Sequence, residues 1–202
     1  MNPTHNHLEK IAQSQLSELA KFVVTENYVH HQEEDFIENL EEETMKVLEE
    51  ELSFYSNSEV FVAKDVFGNI QGAIRVTKWD MSTVLPIQSL FNVNPLSLVK
   101  NSKTAQSIWH IGRFATIKNN PDRNLFKRLM ICAISPICKE KKGIALAECD
   151  RKLLRVMNLM GIKTQTVGES IYYLGSETIP ISMNYQGLKD FYEKNKYLVE
   201  AE

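Results

Sequence analysis

The sequence predicts an α/β (α+β) fold from three features: two amphipathic helices at the front, a β-hairpin behind them, and strands alternating with helices to the end. With 202 residues, 43% hydrophobic and 24% charged, the chain reads as one domain over 1–202, large enough to bury a core without disulfides or metal staples. Repeats and low-complexity tracts are absent.

Leu8, Ile11, Ala12, Leu16, Leu19, Ala20 and Val23 recur at three and four residues, which predicts a helix over about Leu8–Asn27. A second helix is expected over about Glu33–Phe54. Phe36, Ile37, Leu40, Val47, Leu48 and Leu52 form its buried side, and Glu41, Glu42, Glu49 and Glu50 face outward. This N-terminal helical pair (about 8–54) is expected to precede any strand. Val60–Lys64 and Ile70–Lys78 then read as two strands joined by the turn residues Asp65–Asn69. Trp79–Lys103 carries Pro86 and Pro95 and has no sustained period, so it reads as a long connection with a short helical piece near Leu96–Val99, of the kind that covers a site.

Ile108–Lys118 (IWHIGRFATIK) is the next strand. Asn120 as cap and Pro121 at the first helical position then predict a helix continuing over Leu125–Lys141, ended by Gly143 and kinked or broken at Pro136. Ile144–Glu148 is a strand, Asp150 caps a helix through Met160, and Gly161 closes it. Strands at Ile162–Val167, Ile171–Leu174 and Thr178–Met183 and a helix at Tyr185–Tyr197 complete the order.

The net charge of −3 hides an asymmetry: residues 1–51 hold 13 acids and 3 bases, and the rest holds 13 acids and 20 bases. Nothing in this balance points to nucleic acid. Cys132, Cys138 and Cys149 have neither an even count nor metal-ligand spacing, and MNPTHNH is not a signal sequence, so a reduced, cytoplasmic location is expected. His30-His31 and His5/His7 lack carboxylates or cysteines at ligand spacing, so no metal is expected. The longest apolar run, Leu129–Cys138, is too short to span a membrane.

The strand IWHIGRFA sets an arginine among apolar residues, which is costly unless something anionic or polar meets it. Residues three apart lie on opposite faces of a regular strand, so His110 and Arg113 converge only if the strand is irregular, and Gly112 permits a bulge there. A bulge would lift the strand from its neighbour and leave backbone groups for an extended amide chain to pair with.

GAIR (Gly72–Arg75) on a hairpin strand, followed by WHIGRFA and a helix, resembles the acyl-homoserine-lactone synthases (autoinducer synthases) and the long-chain N-acyl amino acid synthases, acyltransferases on the GNAT scaffold. The resemblance covers roughly residues 58–184 as an element order. Arg75 matches the hairpin-strand arginine, and Arg113-Phe114 the family's arginine-phenylalanine pair. It implies a mixed, mostly antiparallel central sheet with a splayed central strand, flanked by helices. The implied activity is direct acyl transfer to a small, amino-acid-like amine from acyl-CoA or from the phosphopantetheine of an acyl carrier protein. His110 stands where the family has glutamate and Gly112 where it has serine. Lys21 stands where an arginine of the first helix would be sought. Neither an acidic pair upstream of the hairpin nor the scaffold's first strand is recognisable, and these departures argue against S-adenosylmethionine as acceptor.

Within that reading Phe114, Ala115, Thr116, Arg123 and Asn124 are the candidate donor-binding residues, the last two at a helix start whose free N–H groups suit a phosphate. Arg75 and Trp109 are candidate substrate-binding residues. His110, Arg113 and Glu148 are the catalytic candidates. Histidine is a natural base near neutrality, Glu148 is the second candidate base, and His110 has an equally open structural reading. Arg75 and Arg113 either hold an acceptor carboxylate or form ion pairs with Glu148 or Asp65. Cys149 reads as a core residue, the last hairpin is expected to lend its edge to the site, and the tyrosine that acetyltransferases place late in the penultimate helix is missing from VMNLM (Val156–Met160). Seven bases against two acids over Lys118–Lys142 offer a surface for an acidic acyl carrier protein, or simply a solvated helix. A non-catalytic acyl-thioester-binding or regulatory module and a small-molecule acetyltransferase are the alternatives.

Overall fold

The computed structural model describes residues 6–31, 40–99, 107–173 and 176–200. Its strands are β1 (His7–Lys10), β2 (Ser58–Lys64), β3 (Ile70–Lys78), β4 (Ile108–Thr116), β5 (Ile144–Asp150), β6 (Gln165–Thr166), β7 (Ile171–Tyr173) and β8 (Ser176–Asn184). Its helices are α1 (Leu16–His31), α2 (Leu40–Phe54), α3 (Pro86–Phe91), α4 (Pro95–Val99), α5 (Leu125–Glu140), α6 (Arg151–Leu159), α7 (Tyr185–Asn195) and α8 (Tyr197–Glu200). The strands form one sheet ordered β1-β2-β3-β4-β5-β8-β6, with β7 also paired to β8. Every pairing is antiparallel except β4 with β5.

That parallel pair is short. Ile108, Trp109 and His110 face Ile144, Ala145 and Leu146, after which β4 and β5 run on without pairing to each other. The expected splay is therefore present at the centre of the sheet. A bulge accompanies it: Arg75 faces Gly112 while Ala73 faces Ala115, so two steps on β3 meet three on β4. The left-handed residue is Arg113, with φ of 56°, and not the glycine that the sequence offered for it. A non-glycine residue takes that backbone only where its surroundings hold it, and ion pairs on the Arg113 side chain do so.

The N-terminal helix is corrected. His7–Lys10 is an edge strand on β2, with Leu8 opposite Ala63, and the helix begins at Leu16. Leu8 and Ile11 fit the helical period because they also turn inward from the strand end, so periodicity alone ran two elements together. Thus the helical pair does not precede every strand, and the scaffold's first strand is present. α2 is described from Leu40, so Phe36 and Ile37 lie outside the described residues.

The hairpin turn is built as its residues predict. Oδ1 of Asp65 accepts from the backbone N–H groups of Phe67 and Asn69, and Gly68 has φ of 86°. The connection after β3 is more structured than expected, because Pro86 opens α3 and Leu85 and Ile87 are fully buried against Trp79 and Val93. α5 starts at Leu125, later than the Asn120-Pro121 signal suggested. Asn120 and Asp122 instead make two successive side-chain turns, accepting from the N–H groups of Asp122 and Asn124. Pro136 does not break α5, which runs on to Glu140. Asp150 caps α6 as expected, accepting from Leu153 N–H at 2.7 Å.

The main core lies between the sheet and α5 with α7, and α1 packs on the opposite face over Val60, Val62 and Ala73. No helix among the described residues is long and apolar enough to cross a membrane.

Candidate active site

The splay opens two adjoining cavities. One, of about 170 Å³, has Gly112, Arg113, Glu148 and Tyr173 around its polar end and Met130, Met157 and Met183 around its apolar end. The other, of about 360 Å³, follows β4 from Phe114 to Ile117 and reaches Arg123 and Lys152. Asn27, Phe114, Asp150 and Leu153 line both, so the two spaces meet at Phe114.

A buried charge network closes the polar end. Glu51 of α2 is inaccessible to solvent and binds both arginines: Arg75 Nη1 in a short contact, and Arg113 Nε at 2.6 Å. Glu50 reaches Arg113 Nη2 at 2.7 Å and Arg75 Nη2 at 3.5 Å. The Arg75 guanidinium also lies 4.5 Å from the centre of the Phe54 ring, and Phe54 stacks on His110. Burial works to raise the Glu50 carboxyl, but Arg113 and Arg75 together outweigh it and hold it below the usual carboxylate range. Burial likewise works to lower Arg113, and Glu50 and Glu51 outweigh it, so Arg113 stays firmly charged.

The sequence offered Glu148 or Asp65 as ion-pair partners for the arginines. The structure shows neither: the partners are Glu50 and Glu51, and Asp65 is spent on its turn. Glu50 is half-buried and Glu51 fully buried, while Leu52, expected to be inside, is exposed. An acidic pair upstream of the hairpin therefore exists, and of the departures from the family pattern those at His110, Gly112 and Lys21 are left.

His110 and Arg113 are both tied to Arg75, His110 directly and Arg113 through Glu50 and Glu51. Arg75 Nη2 donates to His110 Nδ1 at 3.3 Å, and His110 Nε2 lies 2.9 Å from Oε2 of Glu148. A guanidinium only donates, so Nδ1 carries the lone pair and Nε2–H donates to Glu148. Both ring nitrogens are thereby engaged. Glu148 keeps Oε1 without a hydrogen-bond partner among the described residues, buried at the cavity wall. Cys149 beside it is buried, and burial, then Asp150 and Glu148, push its thiol up to about 12, which removes it as a nucleophile at neutral pH.

Gly112 matters for space. A Cβ there would sit 3.2 Å from His110 Cε1 and 3.3 Å from Arg75 Nη2, both of which are pinned by other contacts. Gly112→Ala is expected to destabilise the protein by about 1–3 kcal/mol, as overpacking does. Thermal denaturation checks the loss, and a shift of the His110 imidazole resonances checks its origin.

Among the remaining candidates, Phe114, Ala115, Thr116 and Arg123 line the second cavity, whereas Asn124 and Trp109 line neither. Trp109 is a core residue under Lys78, whose Nζ lies 5.3 Å from its ring. His30 of α1 reaches into the second cavity and donates to the Thr116 carbonyl at 2.8 Å. The basic run over Lys118–Lys142 is not one surface. Arg128 is fully buried on Asp122 and the Asn6 carbonyl, and the remaining bases divide between the two ends of α5.

Tyr173 of β7 was missed as an individual residue, although the edge of the last hairpin was expected to contribute. It lines the first cavity, and burial raises its hydroxyl, so it remains protonated at neutral pH. Glu50 and Glu51 were missed because an acidic run reads as a solvated face. Their signal was the helical stripe Val47, Glu51, Phe54, spaced by four and three, which puts Glu51 on the buried side.

No protein-family model matches the sequence, and a search of curated protein sequences finds no match. Solved structures do match in fold. FeeM, an N-acyl amino acid synthase from uncultured soil microbes, superposes with a TM-score of 0.66 at 13% identity, covering 95% of this chain and 97% of its own. The CoA-dependent acyl-homoserine lactone synthase BjaI gives 0.59 at 13% identity, covering 95% and 90%. A GNAT-family acetyltransferase from Staphylococcus aureus gives 0.56 at 12% identity, covering 89% and 98%. The fold is the GNAT fold, as the strand motif implied.

Proposed function

We propose that this chain is an N-acyltransferase that moves an acyl group directly from a thioester, carried by coenzyme A or by an acyl carrier protein, to a small-molecule amine. The observation that carries the reading is the splay of β4 from β5 with Glu148, held by His110, lining the first of two adjoining cavities. Its fold relatives include a CoA-dependent synthase and an N-acyl amino acid synthase, which supports a thioester donor and an amine acceptor.

The donor arm lies along the second cavity, where β4 beyond His110 has no β5 partner and can pair with an extended amide chain. Phe114, Ala115 and Thr116 flank it, and Arg123 with Lys152 meets the phosphate. The acyl chain points past Phe114 toward Met130, Met157 and Met183.

Glu148 takes one proton from the acceptor ammonium through Oε1. The free amine nitrogen attacks the thioester carbonyl carbon, the C–N bond forms, and the C–S bond breaks. The second proton passes from that nitrogen to the leaving thiolate, and the Tyr173 hydroxyl is the protein group placed to relay it. The products are an amide and a thiol. His110 acts as a positioning residue: it cannot accept a proton at Nδ1 while Arg75 donates there, and it holds the Glu148 carboxylate toward the cavity. Arg113 and Arg75 lock α2 to the strands, with Arg113 also keeping the bulge in place. Purified protein incubated with acyl-CoA and acyl-carrier-protein panels plus amines is expected to release thiol together with an equal amount of amide. Tight donor binding without turnover across a broad amine panel would instead make it a binding module.

A further inference from the structure

We infer that the acceptor is a cationic amine without a carboxylate, such as an alkyl diamine or an arylalkylamine; this rests on the acyl-transfer reading above. An amino-acid acceptor needs a free cationic partner for its carboxylate, and the described residues that line the cavity do not provide one. Both guanidinium groups at the polar end are already taken. Arg75, 1% exposed, is held by Glu51, Glu50 and the His110 ring, and Arg113 by Glu51 through Nε and Glu50 through Nη2. Among the described residues the carboxylates outnumber the cations around this space: Glu50, Glu148 and Asp150 line it, Glu51 stands directly behind, and against these four stand two arginines. His110 has both ring nitrogens engaged, Nδ1 by Arg75 and Nε2 by Glu148, so it is not free to receive an acceptor carboxylate.

An incoming ammonium therefore meets a net negative wall with an unpartnered acceptor, Glu148 Oε1, at hand. A carboxylate brought to the same wall meets like charge, and the two guanidinium groups it could pair with already face Glu50 and Glu51. Glu50 is the residue that enforces the preference. It is half-buried, and Glu51 still bridges both arginines without it, so its removal leaves the network standing and releases Arg113 Nη2 toward the cavity.

The experiment compares amines with their carboxylated counterparts, tyramine with tyrosine and putrescine with ornithine, with S-adenosylmethionine included, on one acyl thioester. Wild-type protein is expected to show kcat/KM at least tenfold higher for the amine of each pair, and Glu50→Gln to bring that ratio close to one. Equal or better turnover of the amino acids or of S-adenosylmethionine by wild-type protein overturns the inference and leaves acyl transfer in place. Thiol release with no acceptor of any kind overturns the acyl-transfer reading and this inference with it. A Glu50→Gln protein that folds and keeps the full preference assigns the selectivity elsewhere and overturns the role given to Glu50.

Discussion

Glu51→Ala is expected to lower stability by about 3–5 kcal/mol, the usual cost of removing one partner from a buried ion pair. Glu51 has no accessible surface and neutralises two guanidinium groups, one 1% and one 13% exposed. Without it Glu50, itself partly solvated, is left to balance both charges. At about 2–4 °C per kcal/mol for a chain of this size, the melting temperature should fall by roughly 6–20 °C. Adding Arg113→Met should recover part of the loss, because it removes one uncompensated buried cation and supplies apolar volume. A second mutation that simply adds its own cost would show that packing, not charge, holds α2 to the sheet.

Glu148→Gln is expected to reduce kcat by about 10²–10⁴ at neutral pH, the range that general-base catalysis supplies. The amide oxygen of glutamine can still accept from His110 Nε2–H, so the melting temperature should change little. The sign of the pH dependence follows from the role. Once the protein no longer takes the proton, only amine already deprotonated by solvent reacts, and that fraction grows as pH rises toward the amine pKa. The rate of the variant should therefore climb with pH and approach wild type in alkaline buffer. An equal loss at every pH would place Glu148 in the architecture and not in proton transfer.

The features legible in the sequence were those governed by local rules. The Asp65–Asn69 turn, the Asp150 cap and the strand IWHIGRF followed by a helix needed only neighbours in sequence, and the structure has them. The splay was legible because Gly112 and Arg113 broke an apolar strand pattern, yet the glycine does a different job from the one expected. It makes room for His110 and Arg75, while Arg113 takes the left-handed backbone. That exchange depends on ion pairs from α2, some sixty residues earlier in the chain, which no local pattern carries. The same distance hid Glu50 and Glu51. The periodic signal at Val47, Glu51 and Phe54 was overridden by the run of acids around it. The edge strand β1 was lost for the opposite reason: at four residues it is too short to establish a period of its own, so its buried side chains joined the helical stripe that follows.

The central claim, that an amine attacks an acyl thioester at the β4–β5 splay, is tested most directly by mass spectrometry. Purified protein is mixed with acyl-CoA or acyl-carrier-protein donors of graded chain length and an amine such as tyramine, and amide and free thiol are quantified together. The account predicts amide and thiol appearing in equal amounts with at least one donor and vanishing together in Glu148→Gln at neutral pH. Donors that are neither consumed nor able to raise the melting temperature, across the whole panel, would contradict it.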